Sequence, residues 1–175
     1  MSVYANSPSS SSRQINFGNM SVALTGFTAD VVTPLFDPLD LVAQYLRTAD
    51  TYAGSAAVDS LIQQYLSLSG AGLGNQQIAD TLLETSNPKP GPEALLAARI
   101  LTLWYLGSWY SAPAPRQPSS PTVISANAYI GGLAWKAMQA HPMGSSDFTF
   151  GYWVQSPPSL SDFGVDLPTA GEKNA

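Results

Sequence analysis

The chain has 175 residues, enough for one domain with its own core, and a formal net charge of −5 with a pI near 4.5. Only 11% of its residues are charged, against about 25% in an ordinary soluble domain. That balance excludes a nucleic-acid binder with a basic stripe, and the absence of cysteine excludes disulfides, thiol nucleophiles, and thiolate zinc, iron–sulfur or c-type haem ligation by this chain.

Residues 1–16 are serine-rich and polar and read as a disordered or extended arm. Met1 to Gln14 has no apolar h-region and a single arginine, Arg13, so the expectation is a cytoplasmic protein or one whose leader has been removed. No apolar run reaches the roughly 18 residues of a membrane span.

The helical domain is expected over residues 17–142. Phe17, Met20, Leu24 and Phe27 recur at helical spacing, with Gly26 as a stop. Asp37 reads as the cap of a second helix with Pro38 in its first turn, carrying Leu39, Val42, Ala43 and Leu46 on one face. Ser55 reads as the cap of a third, with Val58, Leu61, Ile62 and Tyr65. Gly70-Ala71-Gly72-Leu73-Gly74 lacks the lysine and hydroxyl residue of a phosphate loop and reads as a turn. Asn75 reads as the cap of a short helix with Ile78, Leu82 and Leu83, and Pro88, Pro90 and Pro92 then break the chain. Glu93 to Tyr110 is the strongest helix, apolar on most sides and therefore expected to be buried on most sides.

A proline-rich loop, residues 111–121, precedes a last helix from Ser125 to Gln139, ended by Pro142. Gly131 and Gly132 fall inside that helix, where they imply close approach to a neighbour. Residues 143–175 read as an ordered tail. Phe148, Phe150, Tyr152, Trp153 and Phe163 are too many aromatics for a solvated one, so it is expected to pack on the body or on a partner. The expected architecture is all-α, a single domain of about five or six helices.

His141 is the only histidine. It suits a general base or a metal ligand, or a helix terminus whose ring meets open backbone carbonyls. No second imidazole or thiolate accompanies it, and the carboxylates are scattered, which favours the structural role. Low charge and excess aromatics point to a surface covered by another protein.

The segments Leu24-Thr25-Gly26, Leu41-Val42-Ala43-Gln44-Tyr45-Leu46, Leu103-Trp104-Tyr105-Leu106-Gly107-Ser108-Trp109-Tyr110, Ala128-Tyr129, Trp135-Lys136-Ala137, Ala140-His141-Pro142-Met143-Gly144 and Phe150-Gly151-Tyr152-Trp153 carry a resemblance. In this order they resemble the small subunit of FAD-dependent sugar and polyol dehydrogenases. Sorbitol and fructose dehydrogenase small subunits are the nearer types, and the gamma subunit of glucose dehydrogenase a more distant one. The resemblance implies a non-catalytic subunit with no cofactor of its own. It would bind and stabilise a large subunit of the glucose-methanol-choline type, which holds FAD and often an iron–sulfur cluster and passes electrons to a multihaem cytochrome c. It also implies export through a twin-arginine leader, hence a periplasmic or membrane-associated complex. This chain lacks the twin arginine, which leaves the cytoplasm open. The expected interface is Trp104, Tyr105, Trp109, Tyr110, Trp135, His141, Pro142, Met143, Phe150, Tyr152 and Trp153. Other readings of the residues are a self-contained hydrolase using His141 and a free-standing binding domain.

Overall fold

A computed structural model describes residues 10–111 and 121–143. These residues form an all-α domain apart from one two-residue β ladder. The expected tail beyond residue 143 lies outside the described residues.

Helix α1 (Ser10–Thr25) begins well before Phe17, so residues 10–16 are not an extended arm. Arg13 explains the correction. Its guanidinium donates to both oxygens of Asp50, at 2.6 and 2.7 Å, and to Asp59 at 2.5 Å, tying the first turns of α1 to two later helices. Phe17, Met20 and Leu24 are buried as expected, with Phe27 just beyond the helix end. Gly26, with φ +74°, provides the stop.

A four-residue helix, α2 (Ala29–Val32), leads through residues 33–40 into α3 (Leu41–Ala53). The third helix therefore starts later than Asp37-Pro38 implies. Asp37 still does the work of a cap from outside, because its carboxylate accepts from the backbone N–H of Leu39 (3.1 Å) and Leu41 (2.9 Å). Gly54 alone, at φ +86°, joins α3 to α4 (Ser55–Gly70), a conformation that glycine adopts without strain. Gly74, not Asn75, precedes α5 (Asn75–Leu82), and the Gln77 side chain accepts from the Gly74 N–H.

Helix α6 (Pro92–Leu106) is the hub, packing against α1, α3, α4, α5, α7 and α8. Pro92 sits in its first turn, and Gly107 closes it in the left-handed conformation, donating its N–H to Leu103 O at 2.8 Å. The helix expected to run to Tyr110 therefore ends earlier. Ser108 and Trp109 form β1 (Ser108–Trp109), paired antiparallel with β2 (Thr122–Val123).

The expected last helix is two short ones, α7 (Ala126–Ile130) and α8 (Leu133–Ala137), broken at Gly131-Gly132. The expected close approach holds even though the glycines lie between helices. A Cβ on Gly132 would stand 2.9 Å from Tyr105 O, and one on Gly131 would stand 2.4 Å from the Leu41 side chain. Ser125 caps α7, accepting from Ala128 N–H at 3.0 Å while donating to Gln44 on α3 at 2.8 Å.

Candidate interaction surface

The aromatic segment at the end of α6 does not form an outer face. Trp104 is 1% exposed and meets Tyr45 edge-on, centroids 4.7 Å apart at 88°. Its indole N–H is buried without a hydrogen-bond partner among the described residues. Trp109 is 2% exposed and stacks on Tyr52 at 5.6 Å. Neither residue can reach a partner in this fold, which corrects both as interface candidates. The reason is local. The Gly107 turn redirects the chain, so Trp109 folds back onto α3 instead of continuing round α6.

Tyr105 is half-buried, with its hydroxyl donating to Thr25 O at 3.1 Å and its ring edge-on to Phe27. Tyr110 is also half-buried. Burial pushes the hydroxyl pKa of both Tyr105 and Tyr45 up, and at Tyr45 the nearby charge of Asp37 adds to it. The Tyr45 hydroxyl donates to Ala128 O at 3.3 Å, linking α3 to α7.

Trp135 is half-buried, its indole N–H donating to Tyr129 O at 2.8 Å with the two rings edge-on. His141 lies beyond the end of α8, and its Nδ1 is 3.1 Å from the carbonyl oxygen of Pro142. The ring therefore meets a backbone carbonyl of the following residue. Pro142 is half-buried, while Met143 is 81% exposed. Phe150, Tyr152 and Trp153 lie outside the described residues.

Among the described residues no group of three His, Asp or Glu side chains is placed to hold a metal ion, and no helix is long and apolar enough to cross a membrane.

The largest outward-facing apolar side chains sit elsewhere. Leu35 is fully exposed and Phe36 is 82% exposed, both in the connection between α2 and α3. Ile15 on α1, 60% exposed, lines a depression of about 320 Å³ with Gln14, Thr33, Pro34, Asp37, Asp40 and Val42. A second, more apolar depression of about 430 Å³ runs along Leu24, Leu101, Thr102, Tyr105 and Leu106. Helical periodicity missed Leu35 and Phe36 because they belong to no helix. The available signal was their framing by Pro34 and Pro38, which biases the stretch away from helix and leaves two large apolar residues with no periodic face to join.

No family model, curated protein or solved structure matches the chain.

Proposed function

We propose that this chain is a non-catalytic accessory subunit that binds and stabilises the FAD-containing catalytic subunit of a sugar or alcohol dehydrogenase. The flavin, and any iron–sulfur or haem centre, would belong to partner chains of the glucose-methanol-choline and cytochrome c types. The reading rests on the small-subunit resemblance of the Leu103–Tyr110 and Ala128–Gly144 segments.

One observation carries it: those segments, distant in sequence, meet at Gly107 against Ala128 and at Tyr105 against Gly132. A Cβ on Gly107 would lie 2.2 Å from Ala128 O, and Gly132 lies against Tyr105 O. Two of the segments that carry the resemblance thus approach each other through backbone atoms, which is consistent with their belonging to one structural unit. The low charge and the outward Leu35, Phe36, Met138 and Met143 support a chain that works in contact with another protein.

Such a subunit acts by mass action, since binding only the folded form of its partner adds stability of RT ln(1 + [L]/Kd). The test is expression of the flavoprotein with and without this chain. Co-expression should raise the yield of soluble, flavin-loaded, active enzyme. A large subunit equally soluble, loaded and active alone sinks the reading. His141→Gln in the assembled complex should leave turnover unchanged; lost turnover with an unchanged melting curve would favour a catalytic chain.

A further inference from the structure

We propose that the Pro34–Asp40 knuckle, with Ile15 beside it, is the docking edge, and that its occupant is a protein surface bearing an apolar cleft flanked by lysine or arginine. The proposal rests on the subunit reading and adds the place and the chemistry of the contact.

The first mark of this edge is exposure. Burying one leucine or phenylalanine side chain is worth about 1.5–3 kcal/mol. This chain buries Phe17, Phe27, Trp104 and Trp109 almost completely, yet leaves Leu35 and Phe36 outside together.

The second is order. The backbone presenting them is fastened at both ends. Thr33 Oγ1 donates to Ala29 O at 3.0 Å, and Asp37 takes the Leu39 and Leu41 N–H groups. Gln44 Nε2 donates to Leu39 O at 2.5 Å. The knuckle is also pressed against α1, since a Cβ on Gly18 would stand 2.7 Å from the Thr33 methyl. A docking element held this way loses little conformational freedom on binding.

The third is charge. Asp37 and Asp40 share one depression with the apolar walls of Ile15, Pro34 and Val42. Asp40 meets Arg47 at 3.4 Å, with both side chains more than half exposed, a contact too weak and too wet to hold the carboxylate against a better cation. A partner's lysine or arginine can lay its stem along Ile15 and Pro34 and its head on Asp40, while Leu35 and Phe36 enter the cleft beside it.

The same carboxylates select against the other occupants. A two-fold contact between copies centred on the knuckle would set Asp37 and Asp40 against themselves, and an anionic lipid surface would be repelled.

The test uses the full chain and a flavoprotein that copurifies with it, with affinity measured by calorimetry across a salt series. Leu35→Ser/Phe36→Ser should weaken binding by at least about 100-fold, as expected for centrally placed apolar anchors. Asp40→Asn, which keeps a residue tolerant of the left-handed backbone there, should weaken it several-fold and flatten the salt dependence. Melting curves matching the wild type establish that both variants fold; if the double variant does not, Asp40→Asn alone decides. Failure of the wild-type chain to capture any flavoprotein overturns the subunit reading. Wild-type binding that both variants retain in full overturns the docking edge alone. Self-association lost in the double variant, or Phe36-dependent binding to phosphatidylglycerol vesicles, overturns the assigned occupant.

Discussion

The end of α6 and the α2–α3 connection divide the large apolar residues of this chain in opposite ways. Leu103 to Tyr110 is dense in aromatics, yet Trp104 and Trp109 are sealed inside. Pro34 to Asp40 holds one aromatic, and it stands in solvent next to a fully exposed leucine. Aromatic density therefore measures how much surface a segment needs to hide, not whether it hides it inside the fold or against another molecule. What separates the two regions is the backbone. At α6 the Gly107 turn folds Trp109 back onto Tyr52, and Tyr45 meets Trp104 edge-on, so both rings pack against α3. In the connection, two prolines and the Asp37 hydrogen bonds hold the chain away from any such cover.

The sharpest way to break this contrast is truncation on each side. Trp104→Ala should cost about 3–5 kcal/mol, read as a fall in the urea midpoint. Phe36→Ser should change the same midpoint by no more than about 0.5 kcal/mol, while acting on partner affinity. Similar losses at the two sites would show that the knuckle is part of the core.

Next is the turn that separates them. Gly107→Ala forces a side chain into a left-handed residue and against the Ala128 carbonyl, and should cost well over about 1 kcal/mol. Gly131→Ala meets mainly the movable ends of Leu41 and Leu39 and should cost less. A reversed order of the two midpoints would place the closing contact elsewhere.

Arg13→Gln should cost about 1–2 kcal/mol, because it leaves a partly buried Asp50 without its bidentate partner. Hydrogen exchange should show the first turns of α1 opening more readily than α6. An unchanged exchange pattern would mean that the apolar face alone holds those turns.

Among the core substitutions, Tyr45→Phe should have a modest effect at neutral pH, about 1 kcal/mol for its bond to Ala128 O. The pH dependence is more telling. Burial holds the Tyr45 hydroxyl pKa above its ordinary value near 10, so the folded chain keeps a proton that the unfolded chain gives up. Stability tied to this group is fully present below about pH 10 and is lost as pH rises above it. Denaturation at about pH 9 and about pH 11 should show a smaller decline for Tyr45→Phe than for the wild type.

Much of the fold is legible in the sequence. The faces of α1, α3, α4 and α5 follow from spacing, because one buried stripe per helix leaves a period that the residues display. The ends of α1 and of α6 follow less well. Gly26 reads correctly as a stop, but Gly107 lies within an apolar run, and nothing local to it announces that Ala128 will pack against it. The candidate site was less legible still. Trp104, Trp109 and the aromatics near them are named by composition, whereas the side of the fold they face is a property of neighbours distant in the chain, Tyr45 and Tyr52 among them.

By itself, the sequence determines a charge-poor, cysteine-free helical chain with a heavily apolar central helix and Gly and Pro breaks at most of its corners. These are short-range matters of propensity, capping and solvation. Only the tertiary structure decided that Arg13 reaches Asp50 and Asp59, that Tyr45 supports Trp104, and that Leu35 and Phe36 remain outside. Those outcomes depend on which elements meet across long stretches of chain, and burial is set by that meeting rather than by the residue that is buried.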